Sequence, residues 1–166
     1  MDKLLDKIGS YNIFNNLLPG VIFYCLIARF TKFVIVTGEL IYDAFLIYFF
    51  GLVLSRVGSI IIEPLFKSWK IVKFASFEDY CIASKNDPTL AVLTEVNNTY
   101  RSLIATLAVF GIAYLLDKIN IQVLISGEIV FAFILIATLT LLVFSFRKQT
   151  KYIKQLVKTD NKPEVK

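Results

Sequence analysis

The sequence has no histidine, one tryptophan, one methionine and two cysteines. Without imidazole there is no histidine general base and no histidine metal ligand. Cys25 lies in an apolar run and Cys81 in a polar segment expected to face the cytoplasm, so no disulfide is expected. The motifs HExxH, CxxC, GxSxG and the Walker lysine are missing, and the serines of SRVGS have no histidine to activate them. The chain is therefore expected to be non-enzymatic and to use no cofactor and no metal.

Negative charge is the scarcer sign, with 13 acidic against 18 basic side chains. In a soluble chain that surplus would suggest nucleic acid. Here the basic residues collect where cytoplasmic loops should lie, so topology explains them and no nucleic-acid partner is expected. No cleavable signal peptide is expected either. MDKLLDKIGS is too charged to begin an apolar core, and no small-residue cleavage site follows 17–30.

What the chain has in abundance is apolar surface. Hydrophobic residues make up 57% of it, against ~45–50% in an ordinary soluble domain. The fold class expected is all-α, an integral membrane four-helix bundle forming one domain over 1–146, with the lipid bilayer as its first partner. The spans are placed at 13–36, 44–62, 103–116 and 123–146, followed by a basic tail over 147–166 expected to fray into disorder. Arg29 and Lys32 would snorkel from the far end of the first span, where Pro19-Gly20 starts or kinks the helix. Pro64 is expected to end the second span.

Between spans two and three, 65–100 reads as a cytoplasmic helical segment. Its first part sets Phe66, Trp69 and Val72 against Lys67, Lys70 and Lys73 at helical spacing. That pattern suits a helix lying in the headgroup region, and equally a lysine-rich flank with no role of its own. Asp87-Pro88 then looks like a cap and first turn for a long helix running through the third span. Lys and Arg are dense at the N-terminus, in the middle segment and in the tail, and sparse on the other side. Both termini are thus expected in the cytoplasm, across a bacterial inner membrane.

Three groups of residues could carry function. Steps of four from Asp43 give Ile47, Gly51, Ser55, Ser59 and Glu63, a stripe along which Gly51, Ser55 and Ser59 admit a close helix, here expected to join copies in a homo-oligomer. Arg56 borders the stripe inside an apolar span. It can line a bundle and respond to a ligand or partner, or it can snorkel or pair with Glu63. A second polar knot, Glu95 to Arg101, sits at the same depth, so Arg56–Glu95 and Glu63–Arg101 pairs across helices are expected, with Asn97 and Asn98 capping or bridging them. A structural clamp is favoured over a ligand site. Asp43 and Glu128, near the other membrane face, are either interfacial carboxylates or pore-mouth rings in an oligomer.

Together NIFNNLLPGVIF, SRVGSIIIEPLFK and NNTYR resemble a loose group of small, largely uncharacterised bacterial four-span membrane proteins from phage-defence and mobile-element neighbourhoods. The resemblance covers Asn12 to Arg101 and implies a membrane effector, or the membrane partner of a cytoplasmic sensor. It carries no active-site residues. The function expected is a defence or stress effector that perturbs membrane permeability when a cytoplasmic partner or signal engages it. The alternative is an anchor or scaffold recruiting a soluble protein.

Overall fold

The structure is a computed structural model that describes residues 13–35, 37–120 and 125–160. Among these residues it is all-helical, with five helices. Helix α1 begins as a π-turn, Ile13–Leu17, and continues as Leu18–Phe30. Helix α2 runs as Leu40–Ser68, α3 as Phe77–Asn86, α4 as Thr89–Lys118 and α5 as Gly127–Asp160.

Three of these, α2, α4 and α5, are long and apolar enough to cross a membrane. The first segment is shorter than the 13–36 expected of it. Its apolar helix, Asn15–Phe30, stops where Thr31 turns extended (φ −127°, ψ 166°). The Thr31 hydroxyl donates to the Ile27 carbonyl at 2.8 Å, and the Lys32 N–H donates to Asp117 Oδ1 at 3.1 Å. Those bonds satisfy the chain end in a non-helical path. Residues 31–35 and 37–39 are not helical, and Val36 lies outside the described residues.

Helix α1 makes up for its length by being the most enclosed element, packed along α2 and against α4. Gly20 and Gly51 make this possible: a Cβ on Gly20 would fall on the Ile47 carbonyl, and one on Gly51 would fall on the Asn16 carbonyl. The small-residue stripe is therefore spent inside one chain. Gly51 is buried against α1, and Ser55 is buried within the same chain, so in this chain the two serve packing within the molecule. In lipid, where apolar burial gives helices little reason to associate, such close backbone approach is a main source of packing energy.

Helix α2 also passes the proline expected to end it. Residues Gly58–Ile62 widen into a π-turn, and the helix resumes as Glu63–Ser68 with Pro64 in its first turn. A wide turn accommodates a ring that has no N–H to give. The stop comes at Ser68 instead. Lys70 adopts φ 60°, while Ile71 N–H donates to Phe66 O at 3.0 Å and Lys70 N–H to Lys67 O at 3.1 Å. This is a Schellman closure with lysine where glycine is usual. It breaks any helix that would carry Lys67, Lys70 and Lys73 together, the first of the two readings of that stretch, and 72–76 have no regular secondary structure.

Ser76 then caps α3, accepting from Asp79 N–H at 3.1 Å and donating to its carboxylate at 2.6 Å. The Asp87 carboxylate accepts from Thr89 N–H at 2.8 Å and starts α4, as its position before Pro88 suggests. The charge-assisted bonds from Thr89 hold the Asp87 carboxyl below its ordinary pKa. Both cysteines are free, Cys25 exposed and Cys81 buried.

Helix α5 touches the rest of the molecule along one narrow stripe. Leu141 is its only buried residue among those described, and Thr138, Ser145, Lys148 and Gln155 on the same face are half-buried. Phe131, Phe133, Ile134, Leu135 and Ile136 stand exposed, an all-round apolar surface appropriate to lipid. The tail from Arg147 does not fray at once. It continues as helix to Asp160, and 161–166 lie outside the described residues.

Candidate functional site

The polar groups gather at two ends. Asp43 and Glu63 are twenty residues apart on one helix, which at 1.5 Å per residue is about 30 Å, the thickness of a hydrocarbon core. At the Asp43 end, Thr37 donates to Asp43 Oδ1 through its N–H (2.9 Å) and its hydroxyl (2.8 Å), tying the preceding loop to the start of α2. Lys32 reaches Asn120 Oδ1 at 3.4 Å beside the Lys32 N–H to Asp117 bond. Glu128 is exposed in the first turn of α5, where a carboxylate complements the helix dipole. The two carboxylates thus have separate local settings.

The opposite end is built around Glu63. Its side chain is 8% exposed and takes three cations: Lys67 at 2.8 Å one turn along α2, Arg101 of α4 at 2.8 Å, and Lys148 of α5 at 3.0 Å. Three helices are joined on a single carboxylate. Glycine again sets the approach, since a Cβ at Gly58 would sit 3.0 Å from the Arg101 carbonyl. Lys148 Nζ also donates to the Ser59 carbonyl at 2.8 Å and to the Ser59 hydroxyl at 2.9 Å. That carbonyl lies one π-turn before Pro64, which has no N–H to offer it. The proline thereby leaves an acceptor that an ammonium from another helix fills.

The middle segment folds over this junction. Lys67 Nζ stands 4.3 Å from the centre of the Phe74 ring, Phe77 stacks on Tyr152 at 5.5 Å, and Lys148 approaches the same Tyr152 ring at 5.8 Å. Thr94 Oγ1 is 3.3 Å from the Tyr80 hydroxyl, fastening α3 to α4. Beneath this roof is a cavity of 770 Å³ whose walls include Arg56, Lys67, Arg101, Lys148 and Lys151, with Glu63 as their carboxylate. A smaller groove of 300 Å³ lies across the Glu63–Arg101 pair, lined by Phe66, Ile71, Val72, Phe74 and Ile104 among others.

Of the residues picked out in the sequence, Glu63 and Arg101 meet as a pair. Arg56 lines the cavity but makes no ion pair with Glu63 or Glu95 among the described residues, because the Glu63 oxygens are taken by the other cations. Glu95 is half-buried and joins no ion pair among them. Asn97 and Asn98 line the cavity wall without bonding to the clamp. Ser59 accepts from Lys148 through its carbonyl and its hydroxyl. Lys148 and Lys67 are absent from that selection: Lys148 reads as a positive-inside tail residue, and only the spacing of Lys67 to Glu63, i to i+4, hints at its part.

No family model, no curated protein and no solved structure matches this chain.

Proposed function

We propose that this chain is a non-enzymatic protein of the bacterial inner membrane, with its basic end in the cytoplasm, that alters membrane permeability in defence or stress when a cytoplasmic signal or partner engages that end. In this reading α1 sits within the bilayer beside the three long helices and completes a four-helix bundle, and both termini are cytoplasmic. The observation that carries it is the junction on Glu63, which ties α2, α4 and α5 at one end. Helix α5 otherwise holds to the body by a single stripe. An event that unloads Glu63 frees the most lipid-facing helix to move or to associate with other copies. Any homo-oligomer would form through exposed apolar faces such as that of Phe131 and Leu135, since the Gly51 face is occupied.

The test is to express Glu63→Gln and, separately, Lys148→Met, confirm membrane insertion of each, and follow membrane potential and dye entry. Leak from both inserted variants and not from the wild-type chain supports the reading. Intact potential in both contradicts it.

An anchor or scaffold is favoured by one separate feature: Ile82, Val92, Leu93 and Val96 of the middle segment are exposed, apolar side chains that a protein partner could cover. Substituting Ile82 and Leu93 with Asp should abolish recovery of that partner if recruitment is the role, with membrane potential unaffected throughout.

A further inference from the structure

The cavity roofed by the middle segment has five cations on its walls and one carboxylate. Glu63 neutralises at most part of that charge, because Lys67, Arg101 and Lys148 share its two oxygens. Arg56 and Lys151 line the space with no ion pair among the described residues. Arg56 lies within α2, where an uncompensated guanidinium is costly unless something anionic meets it. The Nε–H of Arg101 is buried and also lacks an acceptor among them.

The neutral lining is equally selective. Tyr80, Tyr152, Asn97 and Asn98 offer hydroxyl and amide donors around the same space. A compact anion with several oxygens would satisfy these groups together. A single carboxylate would not, since it brings one charge and two oxygens to a site where five cations already face one carboxylate. Phosphate chemistry fits: more than one negative charge, and three or more acceptors arranged so that guanidinium and ammonium groups bind from different sides.

We propose that this cavity is a binding site for a phosphate-bearing anion, with Arg56 and Lys151 as its free ligands and Lys67 and Lys148 shared between the anion and Glu63. Binding draws the two lysines from Glu63, so occupancy and the three-helix junction are coupled. The proposal deepens the effector reading above, and rests on it only in treating the cavity as the place where a signal is received. Two sources carry the same chemistry. A soluble phosphate compound would enter from the aqueous side, whereas an anionic phospholipid would set its headgroup in the cavity and its chain in the adjoining groove of Phe66, Ile71, Val72 and Ile104.

The test uses the full chain in nanodiscs, read by thermal unfolding and by the fluorescence of Trp69, the only tryptophan. One arm titrates inorganic pyrophosphate into discs of phosphatidylcholine alone. The other compares those discs with discs of mixed phosphatidylcholine and phosphatidylglycerol, without soluble phosphate. Both arms are repeated with Arg56→Gln/Lys151→Gln, which leaves the Glu63 junction intact. A saturable response to pyrophosphate, weakened roughly tenfold or more in the variant, supports the proposal with a soluble source. A response to phosphatidylglycerol alone, lost in the variant, supports it with a lipid source. No response in either arm, or a response the variant leaves unchanged, overturns it. Binding without any membrane leak in the permeability experiment would sink the effector reading and leave this site standing. Leak without binding would do the reverse.

Discussion

Lys148 Nζ lies 3.0 Å from Glu63 Oε2 and 2.8 Å from the Ser59 carbonyl, so one ammonium from the tail of the last helix satisfies both a buried carboxylate and a backbone acceptor left open by Pro64. The tail is thereby part of the fold.

Glu63 and its partners should respond unequally to removal. Glu63→Gln leaves Arg101 and Lys148 partly buried without their counter-charge and should cost about 2–4 kcal/mol. Lys67→Ala, at a side chain 44% exposed, should cost under about 1 kcal/mol, because the other two cations remain and surface pairs contribute little. Unfolding in mixed micelles at graded SDS measures both. Equal losses would contradict a carboxylate shared by three cations.

Lys148→Met should release the polar half of α5 from α2 and weaken the stacking of Tyr152 on Phe77. Limited trypsin digestion should then cut after Lys151, Lys154 and Lys158 several-fold faster than in the wild-type chain. Unchanged cleavage would mean that the apolar stripe through Leu141 holds α5 by itself.

Gly51→Ala should be costly and Gly111→Ala should not. The added methyl at Gly51 meets the Asn16 carbonyl, whereas the one at Gly111 meets open space. Displacing packed backbone costs about 1–3 kcal/mol. The second change should be neutral or stabilise by up to about 1 kcal/mol, through helix propensity. The same unfolding assay separates them, and indifference to Gly51→Ala would rule out the close α1–α2 contact.

The start of α4 should depend on pH through Asp87. Its carboxyl pKa is lowered by the Thr89 bonds, so its contribution is complete above the ordinary Asp value and fades as pH falls through the lowered one. Asp87→Ala should remove that dependence. The Thr89 amide resonance followed by NMR titration reports it, and a titration unchanged in Asp87→Ala would assign the effect to another group.

Much of the helical order is legible in the residues. Apolar runs mark α2, α4 and α5, and Asp87-Pro88 marks where α4 begins. The errors lie where a tertiary bond overrides a local signal. Pro64 reads as a stop, yet a π-turn absorbs it and Lys148 supplies the donor it lacks. Lys70 shows no sign of closing a helix, since glycine is the residue that announces a left-handed cap. The first helix reads as long because 33–36 are apolar, while the bond from Lys32 to Asp117 that ends it spans 85 residues. Glu63 with Arg101 can be foreseen from their matching depth. The role of Lys148 cannot, because spacing within a helix says nothing about which lysine of a basic tail returns to the body.

The most direct test of the account is a double-mutant cycle on Glu63→Gln and Lys148→Met in lipid discs, with unfolding free energy as the readout. Groups in direct contact inside one network couple by about 0.5–3 kcal/mol. The junction predicts a coupling in that range, with the double variant less destabilised than the two single losses together imply. Additive losses would show that Glu63 and Lys148 act independently, and would contradict the claim that one carboxylate ties α5 to α2 and α4.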